Sequence, residues 1–234
     1  MKFSGIQKLT LLDFPGKTAC IAFTPGCNFR CGYCHNPEFV LPERIKKLEP
    51  SFIPDEEVLA FLEARRGKLE GVVVTGGEPT LHRGLPVFLR KVRDLGFLVK
   101  LDTNGSLPEM LEPVLREGLA DYVAMDVKTS PERYAELVGV PVRADALKRS
   151  VELIKSFAPE YEFRTTVVVE HHGLEEFRAI ARLIHGARRY VLQGFRPDIT
   201  LDPAFRAYAR VGADELEAVK SRLQQSVEEL IIRL

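Results

Sequence analysis

One pattern limits the fold of this chain more than any other. Short apolar runs rich in β-branched residues alternate with longer segments of helical character. The runs fall at 18–23, 71–75, 97–101, 122–125, 163–169 and 190–193. Continuous apolar runs suit strands buried on both faces, as in parallel sheets. Between them lie segments that read as helices. Pro54, with Asp55, Glu56 and Glu57, opens one with proline and acids in its first turn. Residues 83–94, stopped by Gly96, form another, and Pro108 starts a third that ends near Gly118. Segments 144–157, 174–186 and 213–232 supply the rest. Six strands alternating with helices predict a parallel α/β fold. Six units are two short of a complete eight-strand barrel, so an open partial barrel and a doubly wound sheet both fit.

The residues after each run share a character. Thr24-Pro25-Gly26-Cys27 follows the first and Gly76-Gly77-Glu78-Pro79 the second. Asp102-Thr103-Asn104-Gly105 follows the third, Asp126-Val127-Lys128 the fourth, Glu170-His171-His172 the fifth and Gly194-Phe195-Arg196-Pro197 the sixth. Parallel strands bring such ends to one rim, where α/β proteins bind ligands.

Charge narrows the possible roles. The 234 residues include 33 basic and 33 acidic side chains, which excludes a basic nucleic-acid clamp or a polybasic membrane anchor as a whole-protein role. At 45% hydrophobic and 28% charged, the chain can build a full core. No run reaches the roughly 20 apolar residues of a membrane span, and residues 1–6 hold no apolar run of signal-peptide length. A cytoplasmic location is the expectation, as one domain over 1–234 with a core at about 16–197 and a helical extension at 198–234. In the last predicted helix Leu216, Val219, Leu223, Val227 and Leu230 fall on one face, suited to packing on the sheet or closing its edge.

The four cysteines are Cys20, Cys27, Cys31 and Cys34, too few for a secreted disulfide scaffold in a chain this long. The last three stand as C-x3-C-x2-C on one short loop. Three thiolates so spaced suit three irons of a [4Fe–4S] cube and leave the fourth iron open for chemistry. The alternative is zinc, with His35 or Cys20 as a fourth ligand; zinc ribbons, however, pair two C-x2-C knuckles, and no second knuckle is present. Cys20 lies within an apolar run and reads as a core residue.

C-x3-C-x2-C after a first strand, with Tyr33 before the last cysteine, resembles the radical S-adenosylmethionine superfamily over roughly residues 5–197. Gly76-Gly77-Glu78-Pro79 resembles that family's glycine-glycine-glutamate motif. Asp13-Phe14-Pro15-Gly16 and Cys34-His35-Asn36-Pro37 resemble glycyl-radical-enzyme activating proteins, most of all the activators of anaerobic ribonucleoside-triphosphate reductase. The segments at Asp102 and Asp126 are also similar to pyruvate formate-lyase activating enzyme. Activators with auxiliary clusters carry additional cysteines, which this chain lacks. The resemblance implies a partial (βα)6 TIM-like barrel with parallel strands. It implies a [4Fe–4S] cluster on Cys27, Cys31 and Cys34, which are both metal ligands and the catalytic centre, with S-adenosylmethionine on the open iron. Electron transfer would break the cofactor into methionine and a 5′-deoxyadenosyl radical, which takes hydrogen from a glycine of a partner enzyme.

The same resemblance assigns the cofactor-binding residues. Gly76 and Gly77 would offer backbone carbonyls to the cofactor's ammonium, with Glu78 anchoring the turn; a tight strand-to-helix turn needs the same glycines. Tyr33 would lie near the adenine or simply pack. Lys128 would pair with the cofactor carboxylate or stand solvated. Asp102, Thr103 and Asp126 resemble a monovalent-cation site, although Asp and Thr also cap turns. Arg164, placed at the start of the fifth run, would meet cofactor or substrate or form an ion pair. Gln193 would bond the adenine or ribose. His171 and His172 read as solvated loop residues, and His35 as shaping its loop. The expected partners are a glycyl radical enzyme and an electron donor such as flavodoxin or ferredoxin, with no nucleic acid and no membrane. Two other functions stay open: a radical enzyme acting on a small molecule such as a deazapurine precursor, and a non-catalytic electron carrier or zinc module.

Overall fold

The computed structural model describes residues 1–223 and 226–234. Eight strands make one sheet: β1 (Gly5–Thr10), β2 (Ala19–Thr24), β3 (Gly71–Gly76), β4 (Leu98–Thr103), β5 (Tyr122–Asp126), β6 (Glu160–Val167), β7 (Ala187–Gly194) and β8 (Val227–Arg233). They lie side by side in chain order. From β2 to β8 every neighbouring pair is parallel, while β1 runs antiparallel to β2. The helices are α1 (Pro42–Leu48), α2 (Asp55–Glu63), α3 (Leu85–Asp94), α4 (Pro108–Arg116), α5 (Tyr134–Val138), α6 (Ala144–Phe157), α7 (Leu174–Leu183) and α8 (Ala213–Leu223).

Alternation along the strands divides their side chains between two faces. Val72 and Val74 join Phe88, Leu89, Leu111, Val151 and Ile180 of the helices in the main core. Val73, Ile21, Tyr122 and Ala124 point the other way and close around Phe14 in a second, smaller cluster. One cavity is lined by residues from β1 (Gln7) through to β7 (Gln193), so the sheet curls round on itself. The edge strands β1 and β8 do not pair, which leaves the barrel open. No helix among the described residues is long and apolar enough to cross a membrane.

The fold class is the one the alternation predicts, with two strands more. β1 extends the sheet on one edge. On the other, the helix predicted over 213–232 ends at Leu223, and β8 takes up Val227–Arg233; positions 224 and 225 of that prediction lie outside the described residues. Val227, Ile231 and Ile232 are β-branched, and β7 would otherwise be an edge with unpaired backbone groups. Leu230 is buried by strand pairing rather than on a helical stripe. β6 also begins three residues before its predicted start, at Glu160, so Arg164 sits within the strand rather than at its head. Glu162 pairs with Arg233 and Arg164 with Asp126, and the charges of Glu160 and Glu162 kept the head of the strand out of the apolar run.

Candidate active site

The mouth of the open barrel holds a cavity of about 440 Å³. Cys27, Cys31, Cys34 and Tyr33 line it from the loop after β2, and Gly76, Gly77 and Glu78 from the end of β3. Asp102 comes from β4, Asp126 and Lys128 from the end of β5, Arg164 from β6 and Gln193 from β7. The residues singled out from sequence therefore share one space. Cys20 does not: it is buried in the main core.

The cysteine loop is fixed by backbone contacts. The Gly26 amide donates to Phe39 O at 2.8 Å, the Gly77 amide to Thr24 O at 2.9 Å and the Glu78 amide to Gly26 O at 2.7 Å. A Cβ on Gly77 would stand 1.9 Å from Gly26 O, and one on Gly76 2.5 Å from Thr24 N, where φ is +114°. The glycine pair thus presses against the base of the cysteine loop as well as facing the cavity. Glu78, 1% exposed, ties that turn to the next strand. Its carboxylate accepts from the Thr80 amide and hydroxyl, from Thr103 Oγ1 at 2.8 Å and from the Asn104 amide at 2.7 Å. Burial nevertheless raises its pKa, outweighing those bonds. Asn104 Nδ2 donates to Asn28 Oδ1 at 2.9 Å, and Asn28 Nδ2 to Ser106 Oγ at 2.8 Å, so the loop is laced to β4. Asn28 and Asn104 were not foreseen; their place beside Cys27 and at the rim after β4 was the available signal.

All three loop cysteines are free thiols. Burial pushes Cys27 up to about 12, with the Glu78 charge adding to it, and Cys31 up to about 11. Burial raises Cys34 as well. A coordinated metal would hold groups so placed as thiolates. Among the described residues no three Cys, His, Asp or Glu side chains gather about one ion-sized point, as a closed zinc centre requires.

Opposite the loop runs a ladder of charge. Lys100 pairs with Asp102, whose other oxygen lies 3.4 Å from Arg164 Nη1. Arg164 Nε donates to Asp126 at 2.8 Å, and Lys128 Nζ to the second Asp126 oxygen at 2.9 Å. Burial opposes ionisation of both carboxylates, but the Arg164 and lysine charges overcome it and hold both below their ordinary range. Their negative charge keeps Lys128 and Arg164 firmly protonated despite burial. Three cations face two carboxylates, an excess of one positive charge. Each of the four carboxylate oxygens of Asp102 and Asp126 has one cationic side chain beside it, and Thr103 donates to Glu78.

Lys128 is half-buried and ion-paired rather than freely solvated, its ammonium 6.0 Å from the centre of the Tyr33 ring. The Tyr33 hydroxyl is buried without a partner among the described residues, a polar atom left free at the cavity. The histidines divide. His35 Nε2 stands 3.0 Å from Arg196 O and links the cysteine loop to the segment after β7. His172, expected in solvent, is 5% exposed and bonded through both ring nitrogens; His171 stacks on Phe205 at 5.3 Å. Phe205 in turn covers Gly32, where a Cβ would lie 2.2 Å from its ring. Loop compactness, invisible in a single sequence, is what draws His172 inside.

The profile of the Radical SAM superfamily matches residues 21–184, and the chain belongs to that superfamily. It is 31% identical over 235 residues, 98% of this chain and 95% of the relative, to a Methanocaldococcus jannaschii protein provisionally named a glycyl-radical enzyme activating enzyme. It is 27% identical to the 7-carboxy-7-deazaguanine synthase of Thermococcus kodakarensis, over 74% of this chain and 72% of that one. In fold it matches Streptococcus suis SuiB bound to its precursor peptide SuiA, with a TM-score of 0.66 at 13% identity, covering 92% of this chain and 48% of that one. Superfamily membership makes this a radical SAM enzyme, and a [4Fe–4S] cluster and S-adenosylmethionine are the cofactors of its neighbours.

Proposed function

We propose that the chain activates a glycyl radical enzyme, holding a [4Fe–4S] cluster on Cys27, Cys31 and Cys34. The observation that carries this is the cavity itself: three thiols on one wall, two glycines at the loop base and a ladder of paired charges, ending in the Lys128 ammonium, on the other wall. When bound, the cluster and S-adenosylmethionine supply one electron and a carbon radical able to take hydrogen from a C–H bond. The protein's share is orientation. Lys128 offers its ammonium to an anion such as an amino-acid carboxylate, and Tyr33 walls the same corner. Gly76 and Gly77 let a cationic amino group come close to backbone. Gln193 offers an amide at the far rim, and Arg164 holds Asp102 and Asp126 in place rather than meeting the ligand first.

The relative in M. jannaschii supports a glycine of another protein as substrate. The sequence resemblance adds the finer reading, anaerobic ribonucleoside-triphosphate reductase, with a cytoplasmic flavodoxin or ferredoxin as reductant. The deazaguanine synthase relative favours a second reading, a small-molecule substrate. The two separate in one experiment. A partner deuterated at the target glycine, with reductant and S-adenosylmethionine, should yield deuterated 5′-deoxyadenosine and a glycine-centred radical. Deuterium arriving only from a small metabolite would overturn the activating role.

A further inference from the structure

We propose that His172 and Tyr134 are positioning residues that clamp the backbone of Lys128 and so fix where its ammonium stands. The inference rests on the proposed role of Lys128 toward a carboxylate, and it begins from hydrogen bonds that role does not use. The Lys128 amide donates to Tyr134 Oη at 3.0 Å, and that hydroxyl lies 3.3 Å from Asp126 O, to which it donates. On the other side of the same residue, His172 Nε2 stands 2.7 Å from Lys128 O. His172 Nδ1 stands 3.0 Å from both the Val168 amide and Val168 O, whereas Nε2 faces the Lys128 carbonyl; a neutral ring with its proton on Nε2 accepts from the Val168 amide and donates to Lys128. Both peptide groups of Lys128 are thus held by side chains, and neither belongs to its own strand.

The two arms are themselves braced. Tyr134 is 2% exposed and meets Phe29 of the cysteine loop edge-on at 6.1 Å. His172 stacks against Phe177 of α7 at 5.6 Å. Arg133 joins the arms, donating to His171 O at 3.2 Å and to Glu176 at 3.1 Å. Lysine has four rotatable methylenes, so an ammonium held only at its tip by Asp126 could follow that carboxylate. Fixing the Cα removes that freedom and sets the distance between Lys128 and the cysteine loop. A phenylalanine at 172 would fill the ring's volume and leave Lys128 O and the Val168 amide without their bonds.

The test compares His172→Phe, His172→Gln and Tyr134→Phe with the wild type, all cluster-loaded and kept anaerobic. The first readout needs no turnover: the acetylation rate of the Lys128 amine by an N-hydroxysuccinimide ester, followed by peptide mass spectrometry with Lys8 as the exposed reference. The second is equilibrium affinity for S-adenosylmethionine and for its decarboxylated analogue. His172→Phe should raise Lys128 labelling and weaken S-adenosylmethionine each by about 10-fold, with the analogue unaffected, the scale of one charge-assisted bond. His172→Gln, whose amide donates to Lys128 O, should recover most of both. Tyr134→Phe removes one oxygen and should move labelling by about 3-fold, keeping the test alive should His172→Phe misfold. Unchanged labelling in both phenylalanine variants, or a glutamine that fares no better than phenylalanine, overturns the clamp. Labelling that shifts as stated, in an enzyme that binds both compounds equally well, upholds the clamp and overturns the carboxylate role of Lys128.

Discussion

The cysteine side of the mouth and its opposite wall are assembled differently. Where β2 and β3 end, main chain meets main chain: Gly77 lies against Gly26, Gly76 against Thr24, and a carboxylate of high pKa, Glu78, gathers four donors. Where β4, β5 and β6 end, the contacts are between charges, with Lys100, Asp102, Arg164, Asp126 and Lys128 in series. Deeper on that wall Glu162 accepts two bonds from Arg233 and one from Tyr122. Backbone packing tolerates no added atoms, and its one titratable member is Glu78. A charge ladder tolerates changes of shape but not the loss of one member. On the proposed function, a loop that holds several thiols in register is served by the first, and a wall that meets a zwitterion by the second.

The sharpest test of the cysteine wall is ligation. Replacing Cys27, Cys31 or Cys34 by Ala should abolish iron loading, read by iron content and absorption after reconstitution; full loading in Cys31→Ala would refute the assignment. Next comes Gly77→Val, whose side chain must enter the space of Gly26 O. It should cost at least about 3 kcal/mol by urea unfolding and lower iron loading together with cofactor affinity. Loss of cofactor affinity alone would show that the glycine serves the ligand and not the loop. On the charged wall, Arg164→Met leaves Asp102 and Asp126 with one lysine each and should cost about 3 kcal/mol without lowering iron loading.

Acid should separate the walls further. Asp102, Asp126 and Glu162 are held below their ordinary range, so the unfolded chain binds more protons as pH falls. Their contribution is complete above about pH 5 and is lost progressively below the ordinary carboxylate values near 4. Glu78 runs the other way: its raised pKa makes its contribution greatest below the ordinary value and lost as pH rises through the folded one. Relative to wild type, Glu78→Gln should therefore compare better at pH 7 than at pH 4, and Asp126→Asn worse, by urea midpoints at the two pH values. The smallest effect belongs to Cys20→Ala, which should leave iron loading intact and cost about 1 kcal/mol of core packing.

The alternation of apolar runs and the residues that end them determined much of this protein from sequence alone. Parallel strands follow from runs buried on both faces, and parallel strands place their ends on one rim, so the cysteine loop, the glycine pair, Asp102, Asp126, Lys128 and Gln193 had to meet. Three features needed the tertiary structure. The partners of Glu162 and Arg164 have no trace in the local sequence, since Arg233, Asp102 and Asp126 arrive from other strands to pair with them. Residues 227–233 continue a helical spacing until the free edge of β7 offers a parallel partner. His172 reads as a loop residue until the ends of β5 and β6 close around it. Local periodicity reports which faces are apolar; it carries no record of which distant partner will neutralise a charge or satisfy a backbone group, because that pairing exists only once the chain has folded.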